Sequence, residues 1–119
     1  MSSLYPDQQL KRRAMVWAMR LKVNPERVDI VEMPRKWGSC TSDGVVTFAD
    51  ELAVADEAFQ DYVIVHELLH LRYRTHGKRF QARMSAFVPN WRELEQDSRH
   101  STERRSAQRA GRDQRETGV

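Results

Sequence analysis

The segment from Phe59 to about Tyr73 constrains the fold of this chain more than any other part of the sequence. Its apolar residues recur at helical spacing and cover most sides of the predicted helix, so this helix is expected to be central and buried. It nevertheless contains His66, Glu67 and His70, whose burial is costly unless a metal ion or hydrogen bonds satisfy them. The fold must therefore build a core around this helix and also bring partners to its polar side chains.

The spacing of the first two histidines predicts a metal site. Four residues advance an α-helix by about 400°, so His66 and His70 lie one turn apart on the same face and both imidazoles can bind one ion. Glu67 lies beside them and is free to hold the water on the metal and take its proton. We therefore expect a zinc ion on the two histidines, with Glu67 as the catalytic residue.

A catalytic zinc ion needs a third protein ligand, and the sequence offers two kinds. His76 lies six residues after His70, about 240° further around a continuous helix, so it reaches the site only if the helix ends and the chain turns back. Gly77 permits such a turn. We favour His76, and a carboxylate from a later helix, Glu93 or Glu95, remains the alternative.

Hydrophobic patterning predicts an α+β fold. Helices are expected over Asp7–Lys22, from Asp56 or Glu57 to about Tyr73, and around Phe80–Val88; strands are expected over Val28–Met33, Lys36–Cys40 and Val45–Ala49. The Asp43-Gly44 pair is typical of a hairpin turn. The expected architecture is a minimal zincin-like domain with a small antiparallel β-sheet packed on an N-terminal helix and a central helix that carries the histidines.

The charge of the chain is unevenly distributed. The net charge is +3 over 119 residues, and residues 98–119 carry all of it, because residues 1–97 contain equal numbers of acidic and basic side chains. Residues 98–119 also lack Leu, Ile, Met and aromatic residues, so this tail is expected to be disordered or to form a frayed polar helix. The folded domain is expected over residues 4–97. Six arginines in the tail suffice for weak, salt-sensitive contact with nucleic acid.

Cysteine content and hydropathy indicate the compartment. Cys40 is the single cysteine, so no internal disulfide forms, which favours a reducing environment. Apolar runs such as Tyr62–Val65 are far shorter than the roughly 20 residues that span a bilayer, and the first residues do not resemble a signal peptide. We therefore expect a cytoplasmic protein without membrane contact.

Four segments together resemble a known family. His66–Leu71, His76–Phe80 and Pro89–Trp91, with Arg35–Cys40 upstream, are similar to the YgjP-like zinc metallopeptidases, which are related to the SprT and WLM metalloproteases. The resemblance extends over about residues 10–97, with Gln81 replacing the usual tryptophan. It implies that His66, His70 and His76 are zinc ligands and that Glu67 is the catalytic acid and base.

Residues outside the motif are candidates for substrate binding. Trp37, Gly38 and Ser39 are expected to line the cleft, where the glycine lets a peptide approach as an additional strand. The expected function is hydrolysis of peptide bonds in peptides or proteins. The alternatives are a DNA-associated SprT-like protease or accessory factor that uses the basic tail, hydrolysis of a non-peptide amide, and a non-enzymatic interaction module stabilised by the metal. The sequence does not specify an oligomeric state.

Overall fold

A computed structural model describes residues 5–102. In chain order the elements are α1 (Pro6–Leu21), β1 (Arg27–Val31), β2 (Gly38–Cys40), β3 (Val45–Ala49), a 3-10 helix (Asp50–Val54), α2 (Glu57–Leu69) and α3 (Lys78–Phe87). A fourth helix, α4, begins at residue 91 and continues to residue 102. The α+β class predicted from the sequence is confirmed.

The predicted tail lies only partly within the described chain. Residues 98–102 continue α4 as helix, whereas residues 103–119 lie outside the described residues. The expectation of disorder over residues 103–119 and the domain boundary at residue 97 therefore stay predictions.

The sheet is mixed, and the expectation of a wholly antiparallel sheet is wrong for β1. The strand order is β1-β3-β2, with β2 antiparallel and β1 parallel to β3. The hairpin between β2 and β3 forms as expected, with Gly44 at a positive φ of 92°. The chain reverses once between β1 and β2 and again between β2 and β3, so β1 and β3 run in the same direction. The central position goes to β3, where Val46 and Phe48 are fully buried.

Helix α2 occupies the centre of the core, as predicted. Its residues Tyr62–Val65, Leu68 and Leu69 are all buried, and the sheet contributes Val28, Val46 and Phe48 to the same cluster. The predicted apolar stripe of α1 covers it from another side through Leu10, Ala14, Trp17 and Leu21. This packing fixes α2 in place, and α2 carries His66 and leads directly into His70, its C-cap residue.

A polar clamp joins α1 to the first turns of α2. The Asp61 carboxylate accepts hydrogen bonds from Arg13 Nε at 2.7 Å and Arg13 Nη2 at 3.2 Å, and from Trp17 Nε1 at 2.8 Å. Because all three donors meet one partly buried carboxylate, the clamp fixes the orientation of the two helices. Within residues 5–102, no helix combines the length and apolarity that crossing a bilayer requires.

Candidate metal centre

Helix α2 ends one residue before His70, earlier than the sequence predicts. His70 is the C-cap residue, and the turn after it tightens, since the amides of His70, Leu71 and Arg72 all bond to carbonyls three residues back. The chain then reverses before α3 begins at Lys78. This reversal brings His76 back towards the face of α2 that carries His66 and His70.

The imidazoles of His66, His70 and His76 converge through their Nε2 atoms. The Nε2 atom of His70 lies 3.3 Å from Nε2 of His66 and 3.0 Å from Nε2 of His76. Three nitrogens bound to one tetrahedral zinc ion at the usual bond length of about 2.0–2.1 Å lie about 3.3 Å apart. The spacing of the three side chains therefore fits a single tetrahedral metal ion.

Hydrogen bonding sets the tautomer of His70. Its Nδ1 atom lies 2.9 Å from the carbonyl oxygen of Tyr73, which only accepts, so Nδ1 carries the proton and Nε2 carries the lone pair. Burial lowers the pKa of His70 and is only partly opposed by this hydrogen bond, so the ring is neutral at neutral pH. The lone pair of His70 is thus directed to the point where the other two imidazoles meet.

His66 is the most deeply buried of the three histidines. Burial, followed by the nearby His70 and His76, lowers the pKa of His66 to about 3, so its imidazole is neutral. Hydrogen bonding alone does not satisfy this geometry, because the single lone pair of His70 cannot accept protons from His66 and His76 at once. A cation shared by the three Nε2 lone pairs satisfies all three Nε2 atoms, so the chemistry of this donor set fits a metal ion.

Phe80 forms the apolar base under the three imidazoles. Its ring centroid lies 5.2, 4.9 and 4.8 Å from those of His66, His70 and His76, and it stacks almost parallel on His70. The side chain is only 2% exposed, so the rings rest on a rigid surface. Sequence reasoning placed Phe80 in the third helix and missed this role, although its position four residues after His76, on the helix that follows the turn, was a usable signal.

Gln81 holds the segment that carries His76. Its side-chain nitrogen donates to the carbonyl of His76 at 2.8 Å, and Arg92 of α4 donates to its side-chain oxygen at 3.1 Å. Gln81 stands where the similar family usually has tryptophan. The exposed third histidine is therefore positioned from its backbone, by a residue whose role the sequence did not indicate.

Glu67 faces strand β2 rather than the three imidazole nitrogens. A Cβ atom placed on Gly38 would lie 2.8 Å from Glu67 Cγ and 3.3 Å from its Oε2 atom, so only a glycine allows this approach. Burial raises the pKa of Glu67 to about 7, and the positive charge of Lys36 opposes the shift. The carboxyl group is therefore enclosed between α2 and β2, beside the histidine cluster and separate from it.

The residues predicted to bind substrate all lie beside Glu67. Gly38 and Ser39 line a groove of about 320 Å³ along β2, together with Glu67 and His70. Trp37 and Gly38 line a smaller cavity of about 160 Å³ that reaches His66 and Glu67. Trp37 also packs edge-to-face on Phe59, with ring centroids 5.0 Å apart. This contact anchors its indole ring against the hydrophobic core.

The structure separates the alternative ligands from the histidine cluster. Within residues 5–102, the side chains that could hold a metal ion together are His66, His70 and His76, whose donor atoms all lie within 4.8 Å of one another. Glu93 is exposed on α4, and Glu95 forms an ion pair with Arg99 at 3.3 Å. Cys40 lines the groove, and its thiol lies 3.6 Å from the carbonyl of Thr41. Neither glutamate nor the cysteine joins the cluster.

Comparison with known proteins gives a family and a fold. A family model described as YgjP-like, metallopeptidase domain, matches residues 6–100. The structure of the metallopeptidase zymogen of Pyrococcus abyssi abylysin is similar, with a TM-score of 0.66 and 19% identity over 74% of this chain and 90% of that chain. The metallopeptidase zymogen of Methanocaldococcus jannaschii jannalysin gives a TM-score of 0.65 and 21% identity, over 74% of this chain and 91% of that chain. Among curated proteins no match was found.

Proposed function

The chain belongs to the YgjP-like metallopeptidase family, and from that premise we propose that it is a zinc-dependent peptidase that hydrolyses peptide bonds. His66, His70 and His76 would hold the ion, and Glu67 would act as the catalytic acid and base. The observation that carries the proposal is the convergence of three imidazole nitrogens, 3.0 and 3.3 Å apart, beside the enclosed carboxyl group of Glu67.

The protein side chains divide the chemistry between them. A zinc ion with three protein ligands and one open position would polarise a carbonyl group and lower the pKa of a water molecule to about 7. Glu67 takes a proton from the attacking water and gives it to the leaving amine. In the metal-free chain its enclosure between α2 and β2 raises the pKa of Glu67 to about 7, and the positive charge of a bound ion would lower that pKa and favour the carboxylate that accepts the proton.

Strand β2 is the element on which an extended substrate would lie. It is an edge strand, and Ala49 and Thr41 donate backbone hydrogen bonds that join residues 37 and 41 to β3. Because antiparallel bonding alternates along a strand, the amide and carbonyl groups of Gly38 and Cys40 point away from β3. A peptide added at this edge would pair with Gly38 and Cys40 and pass Glu67 and His70.

Replacing the carboxyl group of Glu67 tests the proposal. The zinc-loaded wild-type protein should cleave a peptide library or an unfolded protein, and Glu67→Gln should lose at least about a hundred-fold in kcat because general acid–base catalysis is worth that much or more. Elemental analysis should find equal zinc in both proteins. Turnover unchanged in Glu67→Gln would contradict the assignment of Glu67, and no turnover by the wild type on any peptide would contradict the peptidase function.

The alternative functions receive less support from the described residues. A structural zinc site is closed by four protein ligands, and within residues 5–102 the donor cluster contains three. The DNA-associated alternative depends on the basic tail, of which residues 103–119 lie outside the described chain. Unchanged DNA affinity after truncation at Asp97 would remove that alternative.

A further inference from the structure

Two neighbouring grooves share His70 in their walls. The groove of about 320 Å³ runs along β2 past Glu67 and His70. The second, of about 400 Å³, begins at His70 and continues towards the C-terminal end of α1. Both include Thr41, Ser42 and Arg74 in their walls. The two grooves therefore lie next to each other at His70, beside the candidate metal centre.

Cationic side chains are concentrated along these two grooves, which we together call the cationic groove. Its four basic residues are Lys36 at the β2 end, Arg74 near the middle, and Arg72 and Lys22 at the far end. The acidic residues in its walls are Asp43 and the enclosed Glu67. Because residues 1–97 contain equal numbers of acidic and basic side chains, this excess is local and not a property of the whole domain.

The rim arginines are available to an incoming anion. The Arg72 guanidinium donates to the backbone carbonyl of Lys22 at 2.8 Å, which holds it at the rim. Ion pairs with carboxylates within residues 5–102 are formed by Arg13, Arg27 and Arg99, and neither Arg72 nor Arg74 has such a partner there. A carboxylate on a bound ligand would meet their positive charge without displacing an internal ion pair.

The edge of β2 determines which ligand the groove suits. The outward amide and carbonyl groups of Gly38 and Cys40 match the backbone of an extended peptide. The segment from Trp37 to Thr41 is joined to β3 by backbone hydrogen bonds at both ends, and an extended chain of this length covers roughly 14 Å. A strand of about five residues bound there would reach the groove walls that contain Lys36 and Arg74. Substrate side chains on both sides of the cleaved bond would then lie near a cation.

We propose that the protein selects acidic peptide segments. Lys36 and Arg74 form ion pairs with Asp or Glu side chains that lie on opposite sides of the scissile bond. The proposal rests on the proposed peptidase function, whose substrate class it names. Nucleic acid is the less suitable occupant, because none of the described residues in the walls of the cationic groove is a Phe, Tyr or Trp on which a base would stack. Phosphates would also leave the β2 backbone groups without partners.

Binding to a catalytically disabled protein tests this selection separately from turnover. Zinc-loaded Glu67→Gln is titrated against fluorescent peptides of about eight residues that are identical except for Glu, Gln or Lys at the positions flanking the centre. Each exposed ion pair is expected to strengthen binding by about 2- to 5-fold, so the Glu peptide should bind most tightly and the Lys peptide most weakly. The difference should shrink as salt is raised.

Charge-removing variants locate the effect. In the same Glu67→Gln background, Arg74→Gln and Lys36→Gln should each weaken binding of the Glu peptide by about 2- to 5-fold and leave the Gln peptide unaffected. Lys11→Gln is the matched control, because Lys11 is exposed on α1, roughly 16 Å along the helix from Lys22, and should change neither affinity.

Every outcome separates this inference from the peptidase function. Equal binding of the three peptides, no binding of the Glu peptide, or an equal effect of Lys11→Gln would overturn the inference, even if the wild type cleaves peptides. Displacement of the Glu peptide by a short oligonucleotide at a lower concentration than by unlabelled Glu peptide would assign the groove to nucleic acid and overturn it as well. Selective binding of the Glu peptide without any turnover by the wild type would support the groove and contradict the peptidase function.

Discussion

The carboxyl group of Glu67 is the residue-scale feature with the clearest consequence for stability. It is enclosed between α2 and β2, and this burial raises its pKa from an ordinary value of about 4.5 to about 7, against the opposing charge of Lys36. In the metal-free protein, the folded state therefore holds a proton more tightly than the unfolded chain between these two values. The stabilisation that this tighter proton binding gives the folded state is fully present below about pH 4.5 and is lost as the pH rises through 7.

Glu67→Gln removes this titration, so the variant should not show the loss in the free energy of unfolding that Glu67 causes as the pH rises. With a chelator present, urea unfolding of the wild type and of Glu67→Gln is compared at several pH values. The variant should gain on the order of 1–3 kcal/mol relative to the wild type as the pH rises from below 4.5 to above 7. The comparison at each pH isolates the contribution of the Glu67 carboxyl group, because this group is the one that differs between the two proteins. A difference that stays constant over this range would contradict the account.

At the scale of elements, the contact between β2 and α2 determines where Glu67 lies. A methyl group on Gly38 would come within 2.8 Å of Glu67 Cγ and 3.2 Å of the Thr47 carbonyl. Gly38→Ala should therefore displace the Glu67 side chain while the histidines on the other side stay in place. Because small displacements of a catalytic group are costly, kcat should fall about 10- to 100-fold with zinc content unchanged.

Gly77→Ala is the matched control for this variant. Its added Cβ atom would lie 3.5 Å from Thr75 Oγ1, which is an ordinary contact, and the φ angle of Gly77 is −75°, which alanine adopts without strain. It should keep both zinc and turnover. Equal activity of Gly38→Ala and the wild type would show that the approach of β2 does not position Glu67.

The sequence predicts the elements better than their junctions. The periodicity of α1 and α2 and the one-turn spacing of His66 and His70 follow from helix geometry, so both were predictable. The parallel pairing of β1 with β3 was not, because these strands are not consecutive in the chain and their pairing depends on how the whole sheet assembles. The closeness of Gly38 to Glu67 and the hydrogen bond from Gln81 to His76 depend on tertiary contacts between separate elements, which no local pattern encodes.

At the scale of the whole molecule, the clamp between α1 and α2 stabilises the domain from a position remote from the metal centre. Asp61 lies nine residues before His70, roughly 13 Å along α2. Asp61→Ala would leave Arg13 and the buried Trp17 Nε1 without their acceptor, at a cost of about 1–3 kcal/mol in the free energy of unfolding. Zinc content should not change.

Glu57→Ala is the comparison for the clamp. Glu57 also approaches Arg13, at 3.6 Å, but its side chain is 81% exposed, so its removal should cost less than about 0.5 kcal/mol in urea unfolding. A loss as large as that of Asp61→Ala would contradict the idea that the buried acceptor, rather than the charge, stabilises the clamp.

The central claim is that His66, His70 and His76 together bind one zinc ion, and the zinc content of three proteins tests it most directly. Elemental analysis is made on the wild type, on His76→Ala and on His100→Ala, which removes an exposed histidine of α4 outside the cluster. We predict one zinc ion per chain in the wild type and in His100→Ala, and a marked loss in His76→Ala. Full zinc retention by His76→Ala, or a wild type that binds no zinc when it is supplied, would contradict the account.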